Sequence, residues 1–128
     1  MSVVVGYIPN EYGEAALDEA LAESQRRGTG VIVVNTSKGD ALIDARYLGE
    51  RGRSQLEERL SAAPVDVELR QTIGADTADE ILGVIREVTA DALVIGIRHR
   101  SQVGKMLMGS VATRLLMEAP CPVVAVKP

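Results

Sequence analysis

A chain of 128 residues with 46% hydrophobic content suits one globular domain over 1–128 with a single core, burying roughly two-thirds of the surface its unfolded form exposes. Phe and Trp are absent and Tyr occurs three times, so the core is built from Val, Leu, Ile, Ala and Met; with a net charge of −4, duplex or single-stranded nucleic acid is excluded as a partner, because the phosphate-neutralising and stacking residues are both missing. One Cys excludes an internal disulfide, no apolar run approaches membrane-spanning length, and the N-terminus lacks the basic and apolar regions of a secretory leader, which makes no membrane contact and a cytoplasmic location the expectation.

Val3 to Ile8 is a short β-branched run, as expected of a central strand covered on both faces. Asn10 is placed to cap the next helix, Glu11 and Glu14 complement its dipole, Leu17, Ala20, Leu21 and Ser24 hold one face, and Gly28 stops it. Val31 to Asn35 reads as a second strand. Ser37 to Gly52 has mixed polarity and several Gly and predicts no clear element; Leu56 and Leu60 mark a helix ending near Pro64. Val65, Val67 and Leu69 alternate with Asp66, Glu68 and Arg70, the pattern of a half-exposed edge strand. Thr77-Ala78-Asp79-Glu80 matches a capping box ahead of a stripe of Ile81, Ile85 and Val88. Ala92 to Gly96 is the fourth strand, Ala112, Leu115, Leu116 and Ala119 give the last helix its face, and Val123 to Val126 is the fifth strand. Strands alternating with helices of this length predict an α/β fold, a doubly wound parallel sheet with right-handed crossovers and helices on both faces.

Between the fourth strand and the last helix lies Gly96-Ile97-Arg98-His99-Arg100-Ser101-Gln102-Val103-Gly104-Lys105-Met106-Leu107-Met108-Gly109-Ser110-Val111. A backbone that leaves a strand through glycine and then presents free N–H groups and a hydroxyl at a helix start suits an anion. From Ala92 to Met117 there is no acidic residue, while Arg98, Arg100, Lys105 and Arg114 fall inside that span. A basic island in an acidic chain points to a small anionic ligand. Taken singly, Gly96 and Gly109 read as turn residues, Ser110 as an N-cap, and Arg98, Arg100 and Lys105 as a solvated loop; their combined spacing across a long connection is what brings a phosphate into contention. Gly104-Lys105 is not a P-loop, since Met106 stands where Ser or Thr would hold magnesium. His99 is the chain's one His and has no Cys beside it, so no metal site is expected. Cys121, framed by Pro120 and Pro122, reads as a small buried filler ahead of a redox sensor. No Ser-His-Asp order, carboxylate pair or metal cluster nominates an enzyme.

The spacing of Gly96, two residues, His99, nine residues and Gly109-Ser110 resembles the nucleotide motif of the universal stress protein family, which reads Gly, two residues, Gly, nine residues, Gly, then Ser or Thr. The opening Val3-Val4-Val5-Gly6-Tyr7 and the tail Ala119-Pro120-Cys121-Pro122-Val123-Val124-Ala125-Val126 are similar to that family's ends, so the resemblance covers essentially the whole chain. It implies a five-stranded sheet of order 3-2-1-4-5, a cytoplasmic homodimer, and a role in stress response or sensing in which some relatives bind ATP or AMP and others bind none. That order sets Ile8-Pro9-Asn10 beside Gly96-Ile97-Arg98 at the switch point, where ligands collect in such sheets. The nucleotide-binding positions it implies here are Gly6, Ile8, Val34, Gly96, Arg98, His99, Gly109, Ser110 and Val111.

Two departures weigh on that expectation. His99 replaces the motif's middle glycine, and Ile8 stands where nucleotide-binding relatives usually carry an Asp that contacts the nucleoside. Losing a hydrogen bond to a charged group costs about 1.5–3 kcal/mol, which weakens binding roughly ten- to a hundredfold. The phosphate half of the site is kept and the nucleoside half is degraded, with Ile8 left as an apolar wall and Val34-Asn35 as a source of backbone groups. The readings are therefore an adenine-nucleotide or phosphate sensor without rapid turnover, or a nucleotide-independent dimeric interaction module. Slow ATP hydrolysis ranks below both, for want of a base or a magnesium-holding carboxylate in the loop. Val123 to Val126 is an uninterrupted apolar run at an open sheet edge, which predicts pairing with a second copy.

Overall fold

The computed structural model describes residues 2–37, 45–97 and 109–128. Strands and helices alternate along them as β1 (Ser2–Gly6), α1 (Glu11–Arg27), β2 (Gly30–Ser37), α2 (Glu50–Ser61), β3 (Val67–Ile73), α3 (Thr77–Val88), β4 (Ala92–Gly96), α4 (Ser110–Glu118) and β5 (Val123–Val126). The five strands form one parallel sheet in the order β3-β2-β1-β4-β5, as the resemblance implies. Gly6 lies beside Val34, Val5 beside both Val33 and Val94, and Gly96 beside Val126.

Alternation along the strands divides the core in two. Val4, Ile32, Val34, Leu93 and Ile95 meet Ile81, Leu82 and Ile85 of α3 and Leu115 of α4 on one face. On the other, Val3, Val5, Val31, Val33 and Val94 meet Ala16, Leu17 and Ala20 of α1 and Leu56 and Leu60 of α2. Each fully buried Val, Leu or Ile contributes about 1.5–3 kcal/mol, so the sheet interior carries most of the driving force.

The helix ends show which local signals the sheet respects. Asn10 caps α1 as expected, its Oδ1 accepting from the Tyr12 and Gly13 N–H groups at 3.0 Å each, and Gly28 ends that helix at φ 66°. The cap of α3 is Asp76 instead of Thr77: Asp76 Oδ1 accepts from the Asp79 N–H at 3.0 Å, and Thr77 is already helical. A carboxylate one residue upstream outcompetes the hydroxyl, being a charged acceptor facing the positive helix end. In α4 the cap position belongs to Gly109 and Ser110 is the first helical residue. Strand β1 ends at Gly6, two residues short of the expected Ile8, because the chain must turn for the Asn10 cap; the Tyr7 N–H still reaches Val34 O at 2.9 Å. Helix α2 starts at Glu50, inside the stretch for which sequence gave no element, and Leu116 is 36% exposed, because the buried face of α4 is Ala112 and Leu115.

Candidate functional site

Beyond the carboxyl edge of the sheet, where the chain runs from β1 to β2 on one side and from β3 over to β4 on the other, a cavity of about 440 Å³ opens. Gly6, Ile8, Val34, Gly96, Gly109, Ser110 and Val111 all line it, so a set of residues spread over more than 100 positions converges on one pocket. Arg98 and His99, with Arg100 and Lys105, lie outside the described residues. Ile81 from α3 and Ile95 from β4 add apolar wall.

The start of α4 forms the polar end. Gly109 has φ 79° and ψ 158°, a conformation side chains resist, which supplies a physical reason for glycine there. Among the described residues no side chain caps the helix, and its first turn contains no acidic residue. The N–H groups of a helix's first turn have no intrahelical acceptors, and here Ser110, Val111 and Ala112 stand in the pocket wall. Thr113 ties the turn down from behind, its N–H and Oγ1 both donating to Gly109 O, at 3.1 and 2.9 Å.

Gly96 has a different reason to be glycine. A Cβ on it would lie 2.4 Å from Tyr12 O, so the first turn of α1 rests directly on the end of β4. Gly13 is the matching contact, where a Cβ would fall 1.7 Å from Ile8 O. Together they press the turn from Ile8 to Tyr12 into the pocket floor.

Arg114 is paired with carboxylates and does not line the pocket. Its guanidinium bonds Glu118 Oε2 at 2.7 Å and Asp76 Oδ1 at 2.9 Å and also pairs with Asp79; the Glu118 and Asp79 carboxylates push its pKa further up. It joins α4 to the N-terminus of α3, and the basic character read from sequence at the pocket loses that charge.

The far wall is organised by Asn35, fully buried at the end of β2. Its Nδ2 donates to Tyr7 O at 2.9 Å and Arg46 O at 2.8 Å, while its Oδ1 accepts from the Leu48 N–H at 2.9 Å and from Gln71 Nε2 at 3.1 Å. Gln71 also donates to Leu48 O at 2.8 Å. The Asn35 side chain is thus committed to holding the segment around Arg46, which it brings into the pocket wall. An Asn closing the apolar run Val31–Val34 was the available signal; its partners lie 11 to 36 residues away and leave none.

Thr36 was also missed. It is 8% exposed, it lines the pocket, and its Oγ1 has no hydrogen-bond partner among the described residues; the same holds for Thr72 Oγ1, on the residue paired with it in β3. An unpaired buried hydroxyl costs about 1–3 kcal/mol.

Tyr7 closes the pocket toward α1 and α2. Its hydroxyl donates to Glu14 Oε2 at 2.5 Å, and Arg59 holds Glu14 through both oxygens, at 2.7 and 3.2 Å. Burial first, and the Glu14 carboxylate second, push the Tyr7 phenol up to about 12, so it remains a donor at neutral pH. Arg59 in turn holds Glu14 below the usual carboxylate range. Cys121 is half-buried against the α3 and α4 core, and burial raises its thiol pKa, the opposite of what a reactive thiolate needs. Among the described residues no group of three or more His, Cys, Asp or Glu is placed to hold a metal, and no helix is long and apolar enough to cross a membrane.

A parallel sheet of this order, with a pocket at its switch point and an uncapped helix start at one end, defines a doubly wound α/β protein with a ligand-sized site at the carboxyl edge. The chain belongs to the universal stress protein family, whose model matches residues 1–127. It is 46% identical over 126 residues to a universal stress protein of Mycolicibacterium smegmatis, spanning 98% of this chain and 97% of that one. A solved universal stress protein from Archaeoglobus fulgidus superposes with a TM-score of 0.76 at 30% identity, over 99% of this chain and 98% of that one. The structure of the universal stress protein from Archaeoglobus fulgidus in complex with dAMP gives a TM-score of 0.69 at 27% identity, with the same coverage.

Proposed function

We propose that this chain is a cytoplasmic stress-response sensor that binds an adenine nucleotide, AMP or ATP, and does not turn it over rapidly. The observation that carries the reading is the start of α4: without a capping side chain among the described residues, free of acidic residues in its first turn, and opening on an apolar-walled cavity. Phosphate oxygens would accept from the N–H groups of Ser110 and Val111, with the Ser110 hydroxyl beside them. The nucleoside would lie along Ile8, Val34 and Ile95. The dAMP bound by the Archaeoglobus fulgidus relative supports the adenine class. Calorimetric titration with AMP, ATP and inorganic phosphate tests the reading: saturable binding of AMP tighter than that of phosphate is expected, and heats of dilution alone from folded protein would overturn it.

A nucleotide-independent interaction module is the second reading, favoured by Gly96, whose glycine is already required by Tyr12, and by the absence of a carboxylate at Ile8. In either case the chain would act as a homodimer joined through β5, an edge strand that pairs, among the described residues, with β4 alone and has Ala125 exposed in the middle of the run. Sedimentation equilibrium at micromolar concentration should report a dimer that Ala125→Lys shifts toward monomer; a wild-type monomer throughout would sink that assembly.

A further inference from the structure

Helix α2 holds the core by two side chains, Leu56 and Leu60, where α1 and α3 each bury five residues, and Gly49 at its cap position has no side chain to offer. Two polar ties add to them. Near its start, Arg53 Nη1 donates to Gln71 Oε1 at 2.9 Å, Gln71 Nε2 donates to Asn35 Oδ1 at 3.1 Å, and Asn35 Nδ2 donates to Tyr7 O at 2.9 Å. Near its end, Arg59 donates to both Glu14 oxygens, at 2.7 and 3.2 Å, and the Tyr7 hydroxyl donates to Glu14 Oε2 at 2.5 Å. Two chains of hydrogen bonds from opposite ends of the helix thus meet on the carbonyl and the hydroxyl of one residue. Tyr7 lines the pocket together with Gly6 and Ile8 on either side of it.

Hydrogen bonds through the Tyr7 carbonyl and through its hydroxyl both require that residue in one position. A ligand seated against Gly6, Tyr7 and Ile8 confines the turn from its open side, and groups already confined lose less entropy in keeping their partners. Part of the pocket wall is also continuous with the helix: Arg46 lines the pocket just ahead of Glu50, where α2 begins, and Asn35 bonds both Arg46 O and the Leu48 N–H. A displaced α2 would therefore disturb the pocket, and a filled pocket resists that displacement. Resting on the nucleotide reading above, we propose that α2 is the element that reports occupation of the pocket: a bound nucleotide fixes Tyr7, and α2 is held to the sheet more tightly for it. Arg51, Ser54, Gln55 and Glu58 of α2 are exposed, so the change reaches the protein surface.

Amide hydrogen exchange of the full chain, with and without saturating AMP, tests this against the double variant Arg53→Ala/Arg59→Ala, whose changes lie outside the pocket lining. In wild type, AMP should slow exchange of the α2 amides about fivefold. Without ligand, the variant should exchange its α2 amides about five- to tenfold faster than wild type, a modest factor because both arginines are partly exposed. Calorimetry should find AMP bound by the variant within about threefold of wild type, yet AMP should no longer slow its α2 amides. Equal slowing of α2 in wild type and variant overturns the proposal, and so does a wild-type α2 that does not respond to bound AMP. If AMP gives no binding heat with wild type, the nucleotide reading itself has failed. The ligand-free comparison still decides the ties in that event, because equal α2 exchange in wild type and variant would break the link between α2 and Tyr7.

Discussion

Helices α3 and α4 both start at the carboxyl edge of the sheet, pack on the same face and present the same unsatisfied N–H groups, yet their ends are finished in opposite ways. α3 is supplied from within the chain: Asp76 caps it and Asp79 and Glu80 occupy its first turn. Arg114, reaching over from α4, then neutralises Asp76 and Asp79. α4 has a glycine at the cap position, no carboxylate in its first turn and, among the described residues, no capping side chain on the end that faces the cavity. A helix end completed by its own chain is structural. One left open beside a cavity is where an anion from solution gains the dipole and the N–H groups together.

Making α4 resemble α3 gives the largest expected effect. Ser110→Asp supplies a carboxylate without disturbing Gly109, and should stabilise the helix by about 0.3–1 kcal/mol while weakening AMP binding more than tenfold. Calorimetry and a denaturant melt on the same preparation check both halves; retained affinity would place the phosphate elsewhere. The converse change, Asp76→Ala, removes the cap of α3 and should cost about 1 kcal/mol in the denaturant midpoint with AMP affinity unaltered. A large loss of binding there would show that the two ends are not independent.

The smallest effect concerns α1, whose start is also filled from within, by Asn10, Glu11 and Glu14. Glu14 is held below its ordinary value of 4.5 chiefly by its hydrogen bonds from Arg59, so its contribution is present above pH 4.5 and fades as pH falls through the lower folded-state value. Both side chains are partly exposed, at 39% and 54%, which limits the pair to less than about 1 kcal/mol. Glu14→Gln should therefore lower stability slightly at pH 7 and flatten its decline below pH 4.5, as followed by denaturant melts across that range.

The sheet was legible because each strand is a compact apolar run, and β4 and β5 were read to the residue; β3 was displaced, because its alternating pattern starts before its pairing with β2 does. The caps at Asn10 and Gly28 are local chemistry and were equally readable. That the start of α4 lines the pocket was legible for the same reason, since Gly109, Ser110 and Val111 are adjacent in the chain. What sequence hid is long-range. Arg114 finds Asp76 and Asp79 across 38 and 35 residues, Asn35 finds Gln71 across 36, and the unmet hydroxyl of Thr36 is visible only once its surroundings are built.

Gly96 carries a lesson for sorting relatives of this protein. Its missing side chain makes room for the Tyr12 carbonyl, so a descendant that abandoned nucleotides altogether would still be held to glycine there by the fit of α1 on β4. Counting that residue as a mark of binding would enrol chains that bind nothing. Gly109 is held to glycine as well, by its own φ of 79°, so a survey that separates sensors from scaffolds has to ask instead whether a carboxylate has entered the first turn of α4.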